Sequence, residues 1–314
     1  MIEIKSLTKK FGDKTAVDDL TFTVADGEIM GFLGPNGAGK STTMNILTGY
    51  LSATSGTAVI NGADIFEDPK HAKQNIGFLP EQPPLYLDMT VMEYLKFVYE
   101  LKGAVQPRRD HLQRICEMTG IVHVKNRVIK NLSKGYRQRV GIAQALVGDP
   151  KVLIFDEPTV GLDPNQIIEI RTLIKNLGQK HTVILSTHIL SEVQAVCDRI
   201  VIINKGRIVA DSPTADLLTN TAGVVKYRVK LACDSVDNVA KLLSSLDGVE
   251  QVIPCESSED GICEVIIDTT PEIDVRQRLF RLLAERDIPM MGLENVSLTL
   301  EDIFTSLTQG KEEK

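Results

Sequence analysis

The chain has 314 residues, 43% of them hydrophobic and 25% charged, a composition that supports a sizeable buried core and excludes intrinsic disorder. Thirty-five basic residues against 42 acidic ones leave a net charge of −7 with no basic tract, which excludes a broad nucleic-acid footprint, so no nucleic-acid partner is expected. No apolar stretch reaches bilayer length, and the opening MIEIKSLTKKF alternates like a strand and does not resemble a signal peptide; a soluble, cytoplasmic chain with one main and one smaller domain is expected.

The N-terminal segment reads as short strands, Ile2 to Thr8, Leu20 to Val24 and Ile29 to Leu33, with turns at Gly12-Asp13 and Asp26-Gly27. Phe11 sits just past the first of them, either stacking on a flat ligand or packing in the core. The third strand runs into GPNGAGKST, that is Gly34, Pro35, Asn36, Gly37, Ala38, Gly39, Lys40, Ser41 and Thr42, followed by a helix from Thr43 to Leu51. Strand, glycine-rich turn and helix in this spacing form a P-loop: backbone N–H groups at a helix N-terminus hold a phosphate chain. Glycines let the backbone approach, Lys40 supplies a mobile positive charge, and the Ser41 hydroxyl is placed to ligate Mg²⁺.

Strands follow at Thr57 to Ile60 and Ile76 to Leu79, and then an apolar, proline-broken loop from Pro80 to Leu87 that is either a contact surface or tucked against the helices beyond it. From Thr90 the period becomes helical, with Val91, Tyr94, Leu95, Val98 and Leu101 on one face and Leu112, Ile115, Met118 and Thr119 on another. This helical insertion ends at Asn131, where Ser133 is suited to cap a helix from Tyr136 to Val147 and Gly135 opens its mouth.

The apolar run Val152 to Phe155 ends in Asp156-Glu157, two acids at the carboxyl end of a buried strand, where open α/β sheets carry ligands. Strand alternation would send them apart: Asp156 toward the metal held by Ser41, Glu157 toward a water positioned for attack on the terminal phosphorus. A strand from Thr182 to Leu185 leads to Ser186-Thr187-His188, so His188 lands on the same sheet edge. A hairpin from Arg199 to Asp211 closes the main domain. After a short helix from Pro213 to Asn220 and a boundary at Thr221-Ala222-Gly223, the remainder reads as βαββαβ, the ferredoxin-like order, with a short helix from Leu300 to Leu307. The five cysteines (Cys116, Cys197, Cys233, Cys255 and Cys263) are odd in number and lack C-x-x-C spacing, so reduced thiols are expected.

The P-loop, the LSKGY stretch, IFDEP, Gly161-Leu162-Asp163 and His188, in this order, resemble the ATP-binding subunits of ABC transporters, over about residues 1 to 220. Within them the chain is similar to ATPases paired with ABC-2 type permeases, typically exporters, whose C-terminal extension commonly ends in a sequence like the LEDIF seen here.

The resemblance implies a P-loop NTPase of ABC type: a parallel core sheet, an N-terminal antiparallel β subdomain and a helical subdomain at about 88–148, with a small ferredoxin-like α+β accessory domain at 221–314. It implies ATP and Mg²⁺ as ligands, Phe11 stacking on adenine, Ser133, Lys134 and Gly135 as the signature reaching nucleotide bound by a second ATP-binding subunit, identical or paralogous, Asp163 at that interface, and His188 as the switch histidine. Glu81, with Gln82 next to it, stands where the family carries its metal-linked glutamine, and Lys134 and Tyr136 depart from the usual LSGGQ. The chain would sit at the inner face of the cell membrane on integral permease subunits, the alternatives being a soluble ABC-type ATPase or a P-loop kinase.

Overall fold

A computed structural model describes residues 1–219, 225–233, 235–255, 261–270 and 273–296. The chain divides into two compact units, Met1–Thr214 and Ala215–Ser306.

In the first unit, β1 (Ile2–Phe11), β2 (Lys14–Val24), β4 (Ser55–Ile60) and β5 (Ala63–Asp64) form an antiparallel sheet in the order β2-β1-β4-β5. The strand β3 (Ile29–Leu33) leaves it to join a second sheet. That sheet runs β10-β9-β3-β8-β7-β6, with β6 (Ile76–Leu79), β7 (Val152–Asp156), β8 (Thr182–Thr187), β9 (Arg199–Asn204) and β10 (Arg207–Pro213). All its neighbours pair parallel except the β9–β10 hairpin. β3, β7 and β8 are buried at every position, which explains why they read as unbroken apolar runs without alternation. One core joins the two sheets, with Phe22 stacked on Phe32 at 5.6 Å between ring centroids and Ile154, Ile184 and Met44 packed around them.

The helices α1 (Lys40–Leu47), α2 (Pro69–Gln74), α3 (Val91–Lys102), α4 (Arg108–Met118), α5 (Lys134–Leu146), α6 (Pro164–Gly178), α7 (Leu190–Val196) and α8 (Thr214–Thr219) fill the connections. α1 begins three residues earlier than its apolar pattern suggests, because Gly39 takes a left-handed conformation (φ 112°) and caps it. α3 opens with a capping box between Thr90 and Glu93. Its face is buried at Val91, Tyr94, Leu95 and Val98, but Leu101, in the last turn, is exposed, as is Met118 at the end of α4; His111 and Cys116 are buried on that helix instead. Helices α2, α6 and α7 have no counterpart in the sequence reading. The best missed signal was Asp163-Pro164, since Asp163 caps α6 by accepting from the Gln166 N–H at 2.9 Å and proline occupies the first turn. The loop after β6 takes both of its alternatives: Tyr86 is about half exposed while its ring lies against Tyr94 and Phe97.

The second unit is an antiparallel sheet in the order β12-β13-β11-β14, from β11 (Val225–Ala232), β12 (Val249–Cys255), β13 (Ile262–Thr269) and β14 (Met290–Val296), with α9 (Val236–Ser244) and α10 (Arg276–Glu285). The chain order is the ferredoxin-like βαββαβ. Its core holds Tyr227, Val229, Leu243, Val265, Ile267 and Leu279. The expected helix at Leu300 to Leu307 lies outside the described residues.

The reduced-thiol expectation fails at one pair. Cys233 and Cys263 are joined by a disulfide. Leu231 pairs with Cys263 across β11 and β13, so Cys233, two residues on, is the diagonal neighbour on one face. A separation of 30 residues with no spacing motif concealed this.

Two outcomes test this packing. A Cβ on Gly77 of β6 would lie 2.3 Å from the Ala145 carbonyl oxygen of α5, so Gly77→Ala is expected to cost about 1–3 kcal/mol; an unchanged melting temperature would refute the close approach. Thiol titration of the unfolded, unreduced chain should find three free thiols, Cys116, Cys197 and Cys255; five would refute the disulfide.

Candidate active site

The loop between β3 and α1 is shaped by its neighbours. A Cβ on Gly34 would lie 2.5 Å from the Ile203 carbonyl oxygen and one on Gly39 would lie 2.6 Å from that of Ala16, while Gly37 has φ 80°. Lys40, the first residue of α1, is buried, and its ammonium donates to the carbonyls of Gly34 at 2.8 Å and Pro35 at 3.3 Å. Burial lowers its pKa below the ordinary lysine value, against the opposing pull of Glu157 and Asp156.

A cavity of about 530 Å³ opens over this loop, floored by Asn36, Gly37, Gly39, Lys40, Ser41 and Thr42. Pro35 and Ala38 are not among its walls; the Pro35 carbonyl accepts from the Ala38 N–H, and the Ala38 carbonyl accepts from the Gly206 N–H. Phe11, Glu81, Glu157 and His188 complete the cavity, drawn from β1, the loop after β6, the end of β7 and the end of β8. Phe11 is 49% exposed, which removes the core-packing alternative, and the Lys9 ammonium lies 5.1 Å from its ring centroid. Lys14, Ala16 and Val160 also line the cavity and were missed. Lys14 pairs with Phe11 across the β1–β2 hairpin, so the same turn delivers both.

Asp156 closes β7 and is buried, and the Ser186 hydroxyl donates to it at 2.7 Å. Burial raises its pKa above the usual carboxylate value. Glu157 lies just past the strand in a left-handed conformation (φ 49°), its N–H donating to the Ser186 carbonyl. The two acids therefore diverge through a backbone turn, where strand alternation had been expected. The Glu157 carboxylate lies 2.9 Å from His188 Nδ1 and 3.7 Å from Lys40 Nζ.

The signature residues are elsewhere. Ser133 caps α5 by accepting from the Tyr136 N–H at 3.4 Å, and Ser133, Gly135 and Asp163 line a second cavity of about 310 Å³ with Tyr136, Arg139 and Gln166. No residue lines both cavities. Lys134 is not among the walls; its ammonium lies where a Cβ on Gly161 would be. Gln82, adjacent to Glu81, turns into a third, mostly apolar cavity of about 560 Å³ with Tyr50, Phe78 and Pro84.

Comparison with known proteins agrees with this geometry. The family described as "ABC transporter" matches residues 17–160. The chain is 35% identical, over 100% of its length and 98% of the relative's, to the "Uncharacterized ABC transporter ATP-binding protein YhcH" of Bacillus subtilis. It is 32% identical, over 99% and 98%, to the "Bacitracin transport ATP-binding protein BcrA" of Bacillus licheniformis. Among solved structures, "Structure of ATP binding subunit of ABC transporter" superposes with a TM-score of 0.64 at 30% identity, covering 70% of this chain and 93% of the other. An ATP-binding cassette, MJ0796, solved as a dimer in a post-hydrolysis state bound to ADP and Pi, superposes with a TM-score of 0.61 at 27% identity, covering 68% and 99%. The chain belongs to the ABC transporter family, as an ATP-binding, ATP-hydrolysing subunit that energises a membrane permease.

Proposed function

We propose that the P-loop of this subunit holds ATP with Mg²⁺ and that Glu157 is the general base of hydrolysis. The observation that carries this is the Glu157 carboxylate held beside both His188 and Lys40 at the cavity. Its oxygen accepts a proton from a water aligned with the γ-phosphorus. His188 donates toward the γ-phosphate, Lys40 leaves its carbonyl partners for the outer phosphates, and the Phe11 ring stacks on adenine.

The Ser41 hydroxyl, which lines the cavity, and the Asp156 carboxylate would supply oxygen donors suited to Mg²⁺, which takes only one or two protein ligands beside phosphate and water, with Glu81 as a further oxygen donor at the same cavity. When bound there, Mg²⁺ would supply positive charge to offset that of the phosphate chain.

The signature, Ser133, Lys134 and Gly135, caps nucleotide held by the P-loop of a second subunit, a second copy or a paralogue, with Asp163 at the seam. The separation of the two cavities in one chain supports this head-to-tail reading. The apolar cavity beside Tyr50, Phe78, Gln82 and Pro84 receives a cytoplasmic helix of the permease. The permease is of the ABC-2 type and exports its cargo, a reading supported by the likeness to a subunit named for bacitracin transport. The ATP-binding domain spans 1–220, the accessory domain 221–314 presents a regulatory or interaction surface, and the subunit works in the cytoplasm at the inner face of the membrane.

Glu157→Gln is expected to lower turnover about 10²- to 10⁴-fold while ATP binding persists, and to accumulate as an ATP-bound dimer on sizing. A variant that stays monomeric at saturating ATP, alone and with its permease, would overturn the reading.

The raised pKa of Asp156 fixes a sign. Its folded-state pKa lies above the unfolded value, so the buried charge penalises the nucleotide-free fold at neutral pH, and the penalty disappears as pH falls through the folded pKa. Asp156→Asn should therefore melt no lower than wild type at pH 7 without nucleotide, while losing Mg²⁺-dependent hydrolysis; a clear drop in melting temperature would contradict the desolvation account.

A further inference from the structure

Glu192 lies in α7, four residues after His188, and is only 1% exposed. No lysine, arginine or histidine among the described residues forms an ion pair with it. Its two oxygens each accept from a threonine hydroxyl: Oε1 from Thr159, and Oε2 from Thr187 at 2.9 Å. Burying a carboxylate without a cation is costly, and α7 already has apolar anchors in Leu190, Val193 and Val196. A leucine would hold the helix equally well, so the acid calls for another explanation.

One threonine touches the proposed base and the other follows it closely in the chain. Thr159 follows Glu157 by two residues, and its carbonyl accepts from the Leu162 N–H, shaping the turn that leads to Asp163. Thr187 precedes His188, accepts from the Ile189 N–H at 3.1 Å, and its hydroxyl lies 3.3 Å from Glu157 Oε2. A hydroxyl has one hydrogen to donate. With Glu192 nearer, that hydrogen points to Glu192 and away from Glu157, leaving the Glu157 carboxylate to His188, Lys40 and an incoming water.

We propose that Glu192 is a positioning residue for ATP hydrolysis: its carboxylate holds the hydroxyls of Thr159 and Thr187 and turns the Thr187 hydroxyl away from the Glu157 carboxylate. A glutamine in its place has one oxygen and one NH₂, so one threonine must reverse its bond. Ground-state ATP binding uses none of these groups, so the effect falls on turnover.

The inference rests on Glu157 being the base, so three variants are assayed together for kcat, KM for ATP and melting temperature. Glu192→Gln, of equal size, is expected to lose about 3- to 30-fold in kcat with KM within about twofold and an almost unchanged melting temperature. Glu192→Asp, which keeps two acceptor oxygens on a shorter stem, should retain more turnover than Glu192→Gln; a purely packing role reverses that order, because only the aspartate leaves a void. Wild-type kcat in Glu192→Gln, or a slower Glu192→Asp than Glu192→Gln, overturns the inference while loss of turnover in Glu157→Gln leaves the base assignment standing. Full turnover in Glu157→Gln overturns both.

Discussion

A multiply charged phosphate chain must be held by backbone N–H groups at the mouth of α1, and the rest of the first unit is arranged around that demand. It requires a loop that passes within van der Waals limits of Ile203 and Ala16, which only glycine at positions 34 and 39 permits. It also requires a cation inside the protein. Lys40 is buried where burial disfavours its charge, and Glu157 and Asp156 are the groups that keep the charged form favourable. The ammonium donates to the carbonyls of Gly34 and Pro35, so the loop itself supplies acceptors for the buried cation.

The same economy appears in the acids. Asp156 and Glu157 are adjacent in the chain, yet one accepts from the Ser186 hydroxyl and the other lies between lysine and histidine. The left-handed backbone at Glu157 makes this division possible, and a non-glycine residue in that region stores strain that its surroundings must hold. Its N–H bond to the Ser186 carbonyl and the Thr187 hydroxyl 3.3 Å from its carboxylate are the contacts that hold it there, both from β8.

In a single chain the P-loop cavity lacks the signature residues. Ser133 and Gly135 open onto their own cavity with Asp163, which gives each protomer two halves of different sites. In the proposed dimer, each nucleotide would join the P-loop of one protomer to the signature residues of the other, and the two-fold axis would repeat that contact.

The sequence by itself determined the parallel core strands, the P-loop, the acids and histidine at the strand ends, the helical insertion and the βαββαβ order. Each of these is written in burial periodicity or in local backbone chemistry, where neighbours in the chain suffice. Helix α2 escaped because Ala72 is its one buried position. Helices α6 and α7 do carry apolar residues at helical spacing, Ile170, Leu173, Ile174 and Leu177 in one and Leu190, Val193 and Val196 in the other, so that signal was legible and was passed over, while α1 was placed late because its first residues are polar. Only the tertiary structure decided that Lys14 and Val160 meet Phe11 at one cavity, that Glu81 and Gln82 face different cavities, that Cys233 reaches Cys263, and that Glu192 stands behind the base. Those outcomes depend on where a side chain points once its strand has ended, and that direction is set by backbone turns and by partners distant in the chain.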